Sequence, residues 1–374
     1  MLKRIRLQDF KSFVNEEVEV APLTLLVGAN ASGKSNFLDA LRFLQGISSN
    51  LNLSEVLNGE TRSRPEAWPG LRGRAEEAAR LGTEGFTLDT TWQPEEDRSE
   101  IRHFLSCLVS PLIRIKKEIF GKLGGDVATS RAHRFRSMMT DRDLQISLEP
   151  KKLNLVNELR DALQSVQFLR IDPNEMRGYG RRDEQLGEDG KNLSGVLARF
   201  CDDAAEKQGF VDWLTALCAP EIEGIDFLDV KELGDVMAIF VEKGGKRISA
   251  RSISDGTLHF LGTLLALRSA EPGSVILIEE IEAGLHPTRI RLLVEYLETV
   301  TRERDIQIIA TTHSPVVLQW LSDEALRSTI VFGRVPEHEG TIMRRLGDLP
   351  HFDEVVQRKG IDELFTTGWL EMAL

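Results

Sequence analysis

The sequence predicts an α/β fold: a mainly parallel sheet covered by helices, an antiparallel β lobe and a helical insertion. Three observations lead there. The first is Gly28-Ala29-Asn30-Ala31-Ser32-Gly33-Lys34-Ser35, set between the apolar run Leu23 to Val27 and the periodic stretch Phe37, Leu38, Leu41, Leu44. This is the strand, glycine-rich turn and helix of a phosphate-binding loop. The second is the last third of the chain, where apolar strands (Val275 to Ile278, Ile306 to Ile309, Thr329 to Phe332) alternate with helices (Arg289 to Val300, and one from Pro315). Such alternation predicts a parallel sheet with helical cover. The third is Ile225 to Ser249, two or three antiparallel strands around a Gly244-Gly245 turn.

Taken in chain order, Ile5 and Leu7, then Val14, Val18 and Val20, alternate with polar neighbours as strands do. Asn58 to Gly85 is polar and rich in Gly and Arg, a surface passage, and Phe86, Leu88 and Thr90 resume strand spacing up to Trp92. From about Glu95 to Asn157 the three-and-four spacing of Ile101, Phe104, Leu105, Leu108, Leu112 and Ile115 reads as helical. Val166 to Ile171 is a short strand ended by Asp172-Pro173; a basic loop Arg177 to Asp189 and a helix Leu193 to Phe200 follow. The expected division is therefore 1–94, a helical insertion 95–165, and 166–374.

The chain has 374 residues, 41% hydrophobic and 28% charged, which suits a globular protein with a substantial core. A net charge of −12 argues against nucleic-acid binding through bulk charge and leaves only local patches. Two arginine groups qualify: Arg131, Arg134, Arg136 and Arg142 with His133, and Arg177, Arg181 and Arg182. Either could meet DNA phosphates, although such runs are usually solvated or ion-paired faces. Cys107, Cys201 and Cys218 lack metal-ligand spacing and read as reduced thiols of a cytoplasmic protein. Lys3, Arg4, Arg6 and Asp9 at the start give no secretory signal, and no apolar run approaches the roughly 18 residues of a membrane span.

The chemistry concentrates in four short motifs. In the phosphate loop, backbone N–H groups and the following helix end point at the β-phosphate. Asn30, Ala31, Ser32, Gly33, Lys34, Ser35 and Asn36 form the expected ATP-binding set, with Lys34 reaching the β- and γ-phosphates and Ser35 ligating magnesium. Val275-Ile276-Leu277-Ile278 ends in Glu279-Glu280, delivering two carboxylates to the same sheet edge. Glu279 would hold Mg2+ through water and Glu280 would act as general base. A further strand ends in Thr312-His313-Ser314-Pro315, where His313 can contact the γ-phosphate or orient the water. Ser254, Asp255, Gly256 and Thr257 precede an apolar helix and could set a hydroxyl and amides against a phosphate; the spacing fits an ordinary N-cap equally well.

Together these residues resemble the RecF/SMC branch of the ABC-type ATPases, most nearly its compact prokaryotic RecF-like members. The resemblance rests on Ile5-Arg6-Leu7-Gln8-Asp9-Phe10-Lys11-Ser12-Phe13, the phosphate loop (Walker A) with Asn30 and Asp39-Ala40, and Ser254 to Thr257 as the signature loop. Glu279 to Pro287 resembles the Walker B motif and D-loop, and His313 the switch histidine. Leu186 to Leu193, Gly347-Asp348-Leu349 and Gly368-Trp369-Leu370 are similar to recurrent elements of the compact members. Ile281 departs from a common proline, His286 stands where many transporters carry Asp, and Gln93 is the weak candidate for the glutamine loop. The resemblance implies an ABC-type ATPase head that takes ATP and Mg2+ and hydrolyses ATP. It also implies a head-to-tail homodimer in which Ser254 to Thr257 of one subunit complete the site of the other. Two roles stay open: a DNA-associated machine in repair or antiviral defence, or a slow-turnover switch that holds or releases a separate effector protein.

Overall fold

The structure is a computed structural model that describes every residue except 61–66, 95–98, 123–124, 126, 131–133, 218–221, 231 and 336–337. Arg131, His133 and Cys218 lie outside the described residues.

At the centre is a six-stranded sheet in the order Ile342–Arg345, Ile330–Gly333, Leu23–Val27, Gln307–Thr311, Val275–Ile278 and Val166–Leu169. All neighbours run parallel except the outer pair Ile330–Gly333 and Ile342–Arg345. The strands Leu23–Val27, Val275–Ile278 and Gln307–Thr311 are buried at every position, so they read as unbroken apolar runs. Because these strands point one way, the residues that follow them, Gly28, Thr312, Glu279 and Arg170, emerge along one edge.

A second six-stranded sheet is antiparallel throughout, in the order Phe13–Glu19, Leu2–Phe10, Gly85–Trp92, Ile101–Leu108, Arg114–Lys122 and Val127–Ser130. The helix Lys34–Ser48 lies between the two sheets. Phe37 meets Phe332 of the parallel sheet edge-on at 5.7 Å, and Phe43 meets Phe86 of the antiparallel sheet at 5.1 Å. That sandwich explains why Phe37, Leu38, Ala40, Leu41, Phe43, Leu44 and Ile47 are all buried. Truncating either phenylalanine to Ala would cost about 3–5 kcal/mol.

The helical reading of 95–165 is corrected in its first half. Ile101–Leu108 and Arg114–Lys122 are paired strands, and the helices of this segment are Arg142–Ser147 and Pro150–Gln164. Burial follows alternate residues, Ile101, His103, Leu105 and Cys107, not every third and fourth. A histidine at a core-facing position hid that period. Its polarity is met by Glu118, 3.2 Å from His103 Nε2, and Glu118 also accepts from Ser137 Oγ (2.7 Å) and the Met138 amide (2.7 Å). Strands on either side of the expected boundary between 94 and 95 belong to one sheet, since Gly85–Trp92 pairs with Ile101–Leu108 along its length.

The expected antiparallel lobe is present as Ile222–Val230, Asp235–Glu242 and Arg247–Ser249, with Gly180–Arg181 pairing Asp235 and Val236 on the same edge of Asp235–Glu242 as Arg247–Ser249. Gly244 and Gly245 turn the chain with φ of 93° and 82°, the left-handed region that glycine tolerates.

Candidate functional site

The phosphate loop is shaped by two close approaches. A Cβ on Gly28 would sit 2.2 Å from the Phe332 carbonyl oxygen, and one on Gly33 would sit 2.6 Å from Thr341 Oγ1; both have positive φ. Thr341 Oγ1 donates to the Ser32 carbonyl at 2.8 Å and lies 2.8 Å from Ser12 Oγ, which accepts from Asn36 Nδ2 at 2.8 Å. Lys34 is folded onto its own loop, donating to the carbonyls of Gly28 (2.6 Å) and Ala29 (3.0 Å). Burial pushes the Lys34 ammonium pKa down, and Glu371 opposes that shift. The first turn of Lys34–Ser48 has no side-chain cap and no acidic residue, so its amides remain available to an anion. Asn30, Ala31 and Ser35 are exposed at this mouth, Asn36 is half-buried, and Ser32 and Gly33 are buried.

Beside Ser35, Asp39 accepts from Lys11 Nζ (2.5 Å) and Arg72 Nε (3.1 Å), while Arg72 also donates to the Ser35 carbonyl. A cavity of about 260 Å³ lined by Asp39, Arg72, Arg170 and Glu279 joins this corner to the acidic strand end. The donor set of Ser35 hydroxyl and Glu279 carboxylate suits magnesium, which commonly takes one or two protein oxygens and keeps several waters.

The two neighbouring strands fix the acids, one from each side. Thr311 Oγ1 accepts from the Glu280 amide at 2.8 Å, and its carbonyl accepts from Ile281 N at 3.1 Å; on the other side Leu169 O accepts from Glu279 N at 3.1 Å. Glu280 has φ of 50°, a left-handed conformation costing a non-glycine residue about 1–2 kcal/mol, and its side chain is exposed. His313 is exposed as well, and its amide donates to Glu282 Oε1 at 2.7 Å.

Ser254 is the N-cap of helix Asp255–Ser269, accepting from Thr257 N at 3.3 Å and lying 2.8 Å from Thr257 Oγ1. The capping reading of this serine is therefore present, with Ser254 and Asp255 still exposed. Gly256 packs so closely on the Glu279-to-Pro287 turn that a Cβ would sit 2.0 Å from the Gly284 carbonyl oxygen. A cavity of about 400 Å³ brings Asp255, His259, Glu279, Glu280 and Arg170 together, and no residue of the phosphate loop lines it. His259 is 5% exposed with Nδ1 lacking a hydrogen-bond partner. Burial lowers its pKa from 6.5, and Glu280 opposes the shift.

Gln93 is placed elsewhere. Its amide donates to Met1 O at 2.8 Å, and it shares a cavity with Pro22 and Asp305, which precede the parallel strands and so mark the opposite sheet edge. The strand end that does flank Glu279 carries Arg170. Among the arginine groups, Arg177 is bonded to Asp255 and Arg182 to Asp202 (3.0 Å), and Arg181 lies 3.8 Å from Asp235. Arg134 pairs with Asp141 at 3.1 Å and Arg136 donates to Asn50 at 2.7 Å. Sequence reasoning missed Ser12, Arg72, Arg170, His259 and Thr341. Arg170 had a signal, since it follows a strand neighbouring the acidic one; Ser12 and Thr341 had none, because their contact spans 329 residues.

Residues 1–104 match the family described as AAA ATPase domain, and residues 86–319 match the family described as AAA domain, putative AbiEii toxin, Type IV TA system. A chromosome partition protein Smc from Synechococcus sp. is 36% identical over 106 residues, a stretch covering 26% of this chain and 8% of that protein's length. In structure, an Smc head solved bound to the C-terminal winged-helix domain of ScpA aligns with TM-score 0.55 at 15% identity, over 92% of this chain and 98% of the other. An Smc head domain with an extended coiled coil, bound to the C-terminal domain of ScpA derived from Pyrococcus furiosus, aligns with TM-score 0.51 at 11% identity, over 96% of this chain and 98% of the other. Among the described residues no helix is long and apolar enough to cross a membrane. The chain belongs to the AAA-domain family whose match runs from 86 to 319, and it is an ATPase with the fold of an SMC head.

Proposed function

We propose that this ATPase is a nucleotide-driven switch that dimerises around two ATP molecules. The observation that carries the reading is the openness of the strand-end edge: Glu280, His313, Ser254 and Asp255 are all exposed there, and the cavity joining Asp255 to Glu280 excludes the subunit's own phosphate loop. A second copy turned head to tail would set Ser254 to Thr257 of the partner subunit against the γ-phosphate held by Gly28 to Ser35. The γ-phosphate charge attracts the uncapped amides on one side and the helix end of Asp255–Ser269 on the other; hydrolysis removes that attraction and the pair loosens.

Each residue has a role in turnover. Lys34 leaves the loop carbonyls and neutralises the β- and γ-phosphates. Glu280 accepts the proton of the attacking water, whose oxygen bonds to phosphorus while the bridging P–O bond breaks and its electrons leave with ADP. His313 orients that water or contacts the γ-phosphate. Ser35 and, through water, Glu279 would hold magnesium, which would supply positive charge to the phosphates. Turnover per subunit should rise with protein concentration until dimers saturate; a rate independent of dilution would oppose the reading.

The output favoured here is control of a separate protein, in a setting such as defence against foreign DNA. Four of the arginines considered for DNA contact (Arg134, Arg136, Arg177 and Arg182) are bonded within the chain, which reduces the phosphate-binding surface. The Smc heads it resembles were solved with a ScpA domain bound, and a comparable partner docking on this head is the analogous arrangement. Co-purification of a partner with the Glu280→Gln variant, together with a parental ATPase rate unchanged by DNA, supports this output. DNA-stimulated turnover whose DNA affinity falls steeply with salt would instead favour the DNA-associated machine.

A further inference from the structure

The segment Arg170 to Arg177 joins two parts of the site that the sequence keeps far apart. It begins where Leu169 O accepts from the Glu279 amide at 3.1 Å. It then packs on helix Asp255–Ser269 at Gly262, where a Cβ would meet Met176 Cε at 2.8 Å and Ile171 Cδ1 at 2.9 Å. It ends at Arg177, whose guanidinium is spread over the approach to the signature loop. Arg177 Nη1 donates to the carbonyls of Ile253 (2.6 Å) and Arg251 (2.9 Å), with a longer contact to Ala250 O (3.4 Å), and Nη2 donates to the Asp255 carboxylate (2.5 Å).

Ala250–Ser252 is a single 3₁₀ turn; its Ala250 carbonyl takes the Ile253 amide at 3.4 Å, the carbonyls that follow have no helix beyond them to supply donors, and a cation is favoured at that end. A planar guanidinium can bond several diverging oxygens at once; an ammonium on a flexible stem holds them less rigidly. The bonds bracket Ser252 and Ser254 and fix the backbone that leads into the loop.

We infer that Arg177 is a positioning residue: it holds Ser254 to Thr257 in the geometry that meets a nucleotide, and ties that loop to the strand end beside Glu279. It touches no phosphate itself. The inference rests on the proposed dimer, because the loop it holds would serve the other subunit's ATP. Its effect should therefore appear in trans.

The test is subunit mixing with full-length chains. Arg177→Ala should lower kcat about tenfold or more while KM for ATP stays within about twofold, since its own phosphate loop is untouched. Lys34→Ala and the exposed-loop variant Ser254→Arg should each be inactive alone. Mixed one to one at saturating ATP, Lys34→Ala with Arg177→Ala forms heterodimers held by their one intact composite site, and activity should rise above that of either variant alone, towards about a quarter of parental as the limit for random pairing in a two-fold dimer. Lys34→Ala with Ser254→Arg should recover likewise. Recovery with Ser254→Arg but not with Arg177→Ala overturns the role of Arg177 and leaves the dimer reading standing. Recovery in neither mixture overturns both, and full activity of Arg177→Ala alone overturns the inference. Arg177→Lys, which keeps the charge without the fork, takes the same place in the mixtures with the same outcomes if the alanine variant does not fold.

Discussion

Replacing Thr341 by Val should weaken ATP binding although position 341 touches the phosphate loop only from behind. Thr341 is fully buried, and its single hydroxyl donates to the Ser32 carbonyl and is linked through Ser12 Oγ to Asn36. Valine keeps the shape, so Gly33 still packs against the same surface, and the change isolates the hydroxyl. A buried carbonyl left without its donor costs about 1–3 kcal/mol. That cost divides between lower stability and a loop that must be re-ordered when nucleotide arrives. At about 1.4 kcal/mol per tenfold, ATP affinity should fall by roughly fivefold to a hundredfold if most of it appears on binding. Thr341→Ser restores the hydroxyl and loses one methyl, about 0.8 kcal/mol of burial, so its affinity should stay near parental. Calorimetric titration with ATP and thermal melting of all three proteins give both terms. A valine variant that binds ATP as tightly as the parent and melts at the same temperature would refute the claim that this hydroxyl chain shapes the loop.

Two further changes probe the surrounding shell. Asp39→Asn removes the carboxylate that Lys11 and Arg72 share; with side chains only 9% and 5% exposed at Lys11 and Asp39, denaturant unfolding should show a loss of about 3–5 kcal/mol. ATP affinity should fall too, because Arg72 also holds the Ser35 carbonyl; parental stability would contradict the buried pair. For His259, burial lowers the folded-state pKa from 6.5, so the unfolded chain takes up the proton first as pH falls. The unfolded state then binds more protons, and stability is lost as pH drops below 6.5. His259→Asn should flatten the stability profile in that window, and identical slopes for the two proteins would rule the histidine out as a contributor.

The elements that hold phosphate were legible because they are local. Leu23 to Ser35 and Val275 to Glu280 each contain a whole strand and its functional end, and the parallel sheet sets their order. The strands of 101–122 were not legible because both faces carry apolar residues and the inward face carries His103 and, on the next strand, Glu118. Phe104, Leu105 and Leu108 then mimic a helical period although the backbone alternates. The supporting contacts of the site failed for another reason. Ser12 to Thr341 and Arg177 to Asp255 are tertiary pairs, and no short-range pattern marks a hydroxyl or guanidinium that will meet carbonyls hundreds or tens of residues away. Gln93 is a candidate by sequence because it follows the strand ending at Trp92, but the sheet direction places it at the opposite edge.

The proposed switch requires that each nucleotide be shared by two subunits. Light scattering of the parent, Glu280→Gln and Lys34→Ala, each with and without ATP and magnesium, reads this directly. Glu280→Gln with ATP should have twice the mass of the nucleotide-free chain, and Lys34→Ala should stay at the nucleotide-free mass under the same conditions. Equal masses for the two variants in ATP, with nucleotide binding confirmed for Glu280→Gln, would contradict the shared site.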